Sequence, residues 1–391
     1  MVLDIVFANR ASSSRAYRNL FDSSKFKPTS HNRYFVMLAE GLASYKDVNV
    51  SMVGAIAVNR KISNRLFFHG EDLIEKGVSY KTISIFNIPI MWHFITLIGC
   101  VCRIVRMNRS SENLVIICSV SDITLSIAAL LSSMIAKVKT IAVVLDIPGD
   151  LPVKSHWIFD KLRHFFAEKH SAYVFLTRQM NEVMNIDNRS YVVIEGMVDV
   201  DVATEENMID DKYDELVCLY TGSIQRLYGV DLLVNAFISA AIPNAVLHLY
   251  GTGDYEEELI KITQNHSNIR YGKVLPNEQI LREQIKATLL VNPRPTAFDY
   301  TKYSFPSKNM EYIGSGTPLV TTRLPGMPDE YIPYVYLFEE ETEKGFSETL
   351  QILLTTPREV LHAKGMRAKE FAIKKKNNIL QADKLLEMIR K

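Results

Sequence analysis

The 391-residue sequence predicts an α/β protein built from two doubly wound, Rossmann-like domains facing each other across a cleft. Three observations lead there. Short apolar runs rich in β-branched residues alternate with segments of helical spacing along both halves. The length exceeds the ~250–300 residues at which a single core stops growing. An acidic stretch poor in apolar residues, 199–215 (DVDVATEENMIDDKYDE), separates the two series.

The first series opens with the apolar run Leu3–Ala8. Tyr34–Ser44 carries Phe35, Leu38 and Leu42 at helical spacing, and Val48–Gly54 reads as a strand. Tyr80–Ile90 is expected to be extended. Trp92–Met107 is expected to be a helix, with Arg103, Arg106 and Arg109 complementing its carboxyl end. Leu114–Cys118 is a strand and Asp122–Ala136 a helix. Thr140–Leu145, continuous and β-branched, suits a central parallel strand, and Ala172–Leu176 and Tyr191–Ile194 suit two more. In the second series Leu216–Tyr220, Ala245–Tyr250, Leu289–Asn292 and Pro318–Thr321 are strands. Gly229–Ala241, Tyr255–Asn265 and Phe305–Gly314 are helices, and 350–390 is mostly helical. The expected division is 1–198, a linker 199–215, 216–370, and a C-terminal helix 371–391 that crosses back to the first domain.

Composition narrows the function classes. Four cysteines at irregular spacing make no disulfide framework and predict reduced thiols in a cytoplasmic protein. The start, MVLDIVFANR, reads as a strand and not as a secretory leader. The uncharged run 82–102 is broken by Pro89, Asn87 and His93, so it reads as a strand and a helix and not as a membrane span. Net charge divides unevenly: residues 1–198 hold 23 Lys and Arg against 16 Asp and Glu, the remainder 22 against 28. Arg10, Arg15, Arg18, Lys25, Lys27 and Arg33 form a basic segment suited to phosphates, an acceptor or anionic lipid. No nucleic acid is expected among the partners.

Two segments carry chemistry. In 291–328 (VNPRPTAFDYTKYSFPSKNMEYIGSGTPLVTTRLPGMP) a strand is followed by a loop bearing Arg294, Lys302 and Lys308. The helix then begins around Ser304, Phe305, Pro306 and Ser307, and Glu311 is expected about two turns into it. Free N–H groups at a helix start beside cations suit a diphosphate. A carboxylate such as Glu311 suits the paired hydroxyls of a ribose. In 219–237 (LYTGSIQRLYGVDLLVNAF) Gly222 and Ser223 leave the backbone open to a phosphate, and Arg226 offers charge. Asp146, closing the most apolar strand of the first half, suits binding or activation of an acceptor hydroxyl.

The sequence resembles the family 4 glycosyltransferases, in the branch that serves bacterial capsular and exopolysaccharide synthesis. The resemblance rests on 220–237, LHLYGTGDYEEEL (247–259), IRYGKVLPNEQI (269–280), 291–320 and LPGMPDEY (324–331), with weaker support from RYFVMLAEGLA (33–43), VVLDIP (143–148) and YVFLTRQMNEV (173–183). It implies a GT-B fold, a nucleotide sugar held by the C-terminal domain and an acceptor on the N-terminal one. It implies that Glu311 binds ribose, that Gly251 and Gly253 border the donor pocket, and that Tyr271, Lys273 and Val274 lie in the turn that reads the nucleobase. The family's first glutamate falls on Tyr303, and its usual Arg and Lys fall on Ser223 and Tyr228, so phosphate binding shifts to Arg226, Lys302 or Lys308.

The expected reaction is retaining transfer of a hexose from a nucleoside diphosphate to a hydroxyl of a lipid-linked saccharide. It is expected to need no metal and no cofactor, and to take place at the inner face of the membrane on a peripherally bound enzyme. Asp199-Val200-Asp201 matches a metal-binding pattern literally but falls in the acidic stretch. Two alternatives stay open: a sugar-nucleotide epimerase of the same fold and a non-catalytic partner subunit.

Overall fold

The computed structural model describes residues 2–391 except 11, 12, 14, 15, 17–29, 57, 59, 61, 62, 150–156, 186 and 201–203. The chain forms two compact units, Met1–Met197 with Asn378–Lys391, and Val198–Asn377.

The first unit is built on an eight-stranded sheet. The strands are β1 (Leu3–Ala8), β2 (Val48–Ala55), β4 (Asp72–Glu75), β5 (Val78–Ile83), β7 (Leu114–Ser119), β8 (Lys139–Val144), β9 (Ala172–Phe175) and β10 (Ser190–Val193). Their order is β10-β9-β8-β7-β1-β2-β5-β4, with β3 (Phe67–Phe68) and β6 (Ile85–Phe86) paired separately. All neighbours are parallel except the β4–β5 hairpin, whose turn residues Lys76 and Gly77 both take positive φ.

The connections step from β1 to β2 in one direction and from β5 through β7, β8, β9 and β10 in the other. Right-handed crossovers therefore place α1 (Ser30–Ala43) on one face. They place α2 (Pro89–Asn108), α3 (Ile123–Ala136), α4 (Trp157–Ala167) and α5 (Arg178–Met184) on the opposite face. The sheet therefore has a core on each side. Ile5, Phe7, Phe35, Leu38 and Val50 gather beneath α1, while Val6, Ala8, Val53, Trp92, Ile104 and Leu125 gather beneath α2 and α3. α2 starts earlier than its spacing suggested: Pro89 occupies the first turn after an extended Ile88, so the expected strand 80–90 is a strand, a short pairing and a helix start.

The second unit has a wholly parallel six-stranded sheet in the order β13-β12-β11-β14-β15-β16. These are β11 (Leu216–Thr221), β12 (Ala245–Tyr250), β13 (Ile269–Gly272), β14 (Leu289–Asn292), β15 (Leu319–Thr322) and β16 (Tyr336–Phe338). The helices are α6 (Val230–Ala240), α7 (Glu256–Asn265), α8 (Asn277–Lys286), α9 (Ser307–Ser315), α10 (Glu343–Thr355) and α11 (Arg358–Lys375). The chain reverses its stepping between β11 and β14, which makes their carboxyl ends the topological switch point of this sheet.

Two expectations about connections are corrected. From Thr204 onward the acidic stretch is packed into the second unit and is no linker. Buried Asn207 donates to Ser315 O (2.8 Å) and Thr317 Oγ1 (3.0 Å). Lys212 Nζ donates to Ile285 O, Ala287 O and Thr317 Oγ1 at 2.6–3.0 Å. Acidic composition hid two side chains that satisfy carbonyls at neighbouring helix ends. The C-terminal helix is also shorter than 371–391. α11 runs to Lys375 and ends on buried Lys376, which pairs with Glu330 at 2.6 Å. Then α12 (Asn378–Arg390) lies on α1, with Ala382, Leu385 and Leu386 in the first unit's core.

Candidate active site

The carboxyl ends of β11, β12, β13 and β14 deliver most of the singled-out residues of the second unit to one rim. Glycine makes the close fit possible. Gly251 has φ +145°, and a Cβ there would lie 1.7 Å from Gly222 O. Gly253 meets Ile224 O in the same way, at 2.0 Å. Backbone bonds lock the loops together: Gly222 N to Tyr250 O and Ile224 N to Thr252 O, both 2.9 Å. Tyr271 Oη donates to Gly251 O (2.8 Å), while Lys273 and Val274 just beyond it are exposed.

α9 is fastened to the glycine turn by a residue the sequence did not single out. Buried Tyr312 Oη accepts from Thr221 N at 2.8 Å and donates to Thr221 O at 3.1 Å. Its neighbour Glu311 is thereby fixed relative to Gly222. Glu311 lies four residues after Ser307, one turn into the helix and not two, because the helix begins after Pro306. Pro306 has no side chain to cap the first turn, which leaves N–H donors for a ligand. Lys308 Nζ donates to Glu311 Oε2 at 2.7 Å, both half-buried. Asn292, ending β14, donates to Asn309 Oδ1 at 2.7 Å and ties the helix to the strand. Phe305 is buried against Tyr331, a role in the core and not at a ligand, and Ser307 is exposed.

Three further cations near the rim are held differently. Arg226 is half-exposed and bound by two carboxylates, Glu258 and Asp231, with its guanidinium 4.7 Å from the Tyr255 ring centre. Those acids raise its pKa further, and its charge is already answered. Lys302 forms an exposed pair with Asp299 at 2.8 Å within the short 3-10 segment Asp299–Tyr303, of which Tyr303 is the half-buried last residue. Arg294 is half-buried, and its guanidinium lies 4.5 Å from the Tyr228 ring centre and 5.3 Å from that of Tyr300. Its Nη1 donates to Ser304 Oγ at 3.3 Å. Among the described residues no carboxylate pairs with it.

In the first unit Asp146 follows β8, and its Oδ2 lies 2.9 Å from His31 Nε2, both about one-third exposed. His31 gives no sign of this role in the sequence because it stands alone, 115 residues from its partner. Arg10 is bound by Asp122 and lies 4.2 Å from the Trp92 ring centre, so it is no free member of a basic patch. Arg33 is half-buried on α1. Arg15, Arg18, Lys25 and Lys27 lie outside the described residues.

Residues 204–372 match the family described as Glycosyl transferases group 1. No curated protein matches the chain in sequence. Among solved structures the chain is similar to sucrose-phosphate synthase from Thermosynechococcus elongatus, with TM-score 0.72 and 15% identity over 99% of this chain and 98% of that one. It is also similar to Anabaena HepE in complex with UDP-glucose, with TM-score 0.68 and 12% identity over 99% of each chain. The lipopolysaccharide outer core galactosyltransferase WaaB gives TM-score 0.61 and 13% identity over 100% and 99%. These likenesses show the GT-B fold that the family resemblance implied, with the two Rossmann-like units that the alternating strands and helices predicted. Carrying a group 1 domain over most of its second unit, on the GT-B fold, the chain is a glycosyltransferase.

Proposed function

We propose that the chain moves a hexose from a nucleoside diphosphate to a hydroxyl of a lipid-linked saccharide, retaining the anomeric configuration and using no metal, in bacterial polysaccharide synthesis. The observation that carries the reading is Arg294. A half-buried guanidinium that faces tyrosine rings and a serine, with no carboxylate partner among the described residues, calls for an anion. Glu311 sits close in the chain, one turn into a helix whose start is uncapped. Together they suit the two ends of a nucleoside diphosphate, with phosphate oxygens at Arg294 and the first-turn N–H groups, and ribose hydroxyls at Glu311 beside its partner Lys308. Solved relatives of the fold support the choice of ligand, one of them being a complex with UDP-glucose.

In this reaction the bond between the anomeric carbon and the β-phosphate oxygen breaks as the acceptor oxygen bonds to that carbon. The leaving diphosphate takes the acceptor's proton. Charge grows on the diphosphate as the sugar becomes oxocarbenium-like, and fixed cations with helix N–H donors stabilise it without reorganising. Asp146, oriented by His31, positions the acceptor by accepting a hydrogen bond from a hydroxyl next to the reacting one, whose own proton goes to the diphosphate. Thermal melting with UDP, GDP, TDP and CMP tests the core of the reading. One diphosphate raises Tm, and Glu311→Ala weakens its affinity at least about tenfold. No shift with any of the four would sink the proposal and favour a non-catalytic subunit. Transfer that persists in EDTA supports metal independence, and its complete loss refutes it. Turnover of a nucleotide sugar without acceptor would favour the epimerase reading.

A further inference from the structure

The outer face of the helical layer on the first unit is apolar where a solvated layer would be polar. α4 shows this most plainly: of its eleven residues only Ala167 is buried. Trp157, Ile158, Leu162 and Phe165 are 62%, 44%, 38% and 52% exposed. At about 100° per residue these four share one arc of about 140°. Asp160, Arg163 and Ala167 occupy the other side, where Arg163 Nη1 donates to Asp160 Oδ1 at 2.9 Å. The helix thus turns its polar side inward and its apolar side out.

α2 repeats the pattern. Trp92, Thr96, Cys100 and Ile104 recur every four residues and are buried on the sheet. Ile90, Phe94 and Ile98 recur at the same spacing on the other side and are exposed. By length and composition it could cross a membrane, but its inner stripe is committed to the core, so its outer stripe can only lie along a surface. Between them α3 exposes Met134 and Ile135. A helix apolar on every side is stable when covered on every side.

Charge selects the cover. The stretches 89–109, 123–139 and 157–169 hold eight Lys and Arg against two acids, Asp160 and Glu168. Lys161 Nζ lies 4.9 Å from the Trp157 ring centre and Lys169 Nζ 4.8 Å from that of Phe165, which interleaves ammonium groups with aromatic rings. Ammonium heads among aromatic rings suit the boundary between lipid headgroups and acyl chains. A second copy of the chain would present the same excess of positive charge and be repelled.

We propose that the outer face of α2, α3 and α4 lies on an anionic lipid bilayer, with Phe94, Trp157 and Phe165 inserted at the headgroup boundary. This surface does not depend on the nucleotide reading.

The test is flotation of the full chain with vesicles of phosphatidylcholine alone or mixed with phosphatidylglycerol. Wild type binds the mixed vesicles, more weakly as salt rises. F94S/W157S/F165S binds at least about tenfold more weakly. Lys161→Glu with Lys169→Glu weakens binding to the mixed vesicles alone, about fivefold per charge. All five positions are outside the core, and an unchanged Tm with an unchanged nucleotide shift confirms the fold. A second readout uses Trp157 itself: its emission shifts to the blue on the mixed vesicles, and Trp157→Phe removes the shift while binding persists. Three outcomes overturn the proposal: no vesicle binding by wild type, wild-type binding by the triple variant, or a wild-type dimer in light scattering that the triple variant splits.

Discussion

A Cβ at Gly54 in the first unit would lie 1.8 Å from Asn9 O, and one at Gly251 in the second would lie 1.7 Å from Gly222 O. Each glycine belongs to the end of its sheet's second strand and admits the backbone that leaves the first strand. The joint is shared, but the residues beyond it differ. In the first unit the next residue is Arg10, held by Asp122 over the Trp92 ring. In the second, Gly222 and Ser223 bring no charge, and the cation comes from across the switch point on Arg294, framed by tyrosines. A Rossmann-like unit therefore does not bind anions by topology alone. Its capacity depends on whether the cation at the switch point already has its own carboxylate.

The largest expected effect breaks the shared joint. Gly251→Ala, at φ +145° and in contact with a carbonyl, destabilises the second unit by about 3 kcal/mol or more. Gly54→Ala does the same to the first. Denaturant unfolding followed by hydrogen exchange in each unit shows which one loosens, and a uniform loss in both would contradict two independent joints.

Asp146→Asn separates the chemistry of the units. Transfer falls about a hundredfold while nucleotide affinity is unchanged. Loss of nucleotide binding would move Asp146 out of the acceptor role.

Acid sharpens the comparison next. Burial, with help from Arg189, lowers the His170 pKa to about 3, and its ring sits 3.0 Å from Ser126 Oγ. The folded ring stays neutral while the unfolded chain takes up a proton below its ordinary value of 6.5. Stability contributed by the neutral ring is thus present above pH 6.5 and lost as pH falls toward 3. The slope is up to about 1.4 kcal/mol per pH unit. Urea titrations at a series of pH values should show this slope in the first unit, and His170→Gln should flatten it.

The smallest effects compare two arginines of the second unit. Arg294→Gln weakens nucleoside diphosphate binding about tenfold, whereas Arg226→Gln, losing a cation that Glu258 and Asp231 already answer, changes it less than about twofold. Equal losses in calorimetric titration would erase the distinction between a compensated and an uncompensated cation.

The sequence disclosed what is local. β1 and β14 fall on the apolar runs that predicted them, because strands buried on both faces are continuous in hydrophobicity. Glu311 stood out as a carboxylate on a helix behind a basic loop, but the sequence left Lys308 in that loop and set Glu311 one turn too deep, because the helix start after Pro306 was not fixed by spacing. Distance in the chain concealed the rest. His31 and Tyr312 act on partners 115 and 91 residues away. The acids that answer Arg226 come from α6 and α7, so counting cations in its loop overstated its charge. α4 was missed because its apolar side faces away from the core, and α8 because only Gln284 on it is buried.

The return of α12 to the first unit has a bearing on how the protein folds. Leu385 and Leu386 complete a core begun by Leu3 and Ile5, so that core closes only when segments far apart in the chain meet. The second unit, complete at Asn377, is free to fold earlier. On refolding the first unit therefore carries the larger loop-closure cost, because α12 must return past the whole of the second unit to reach α1.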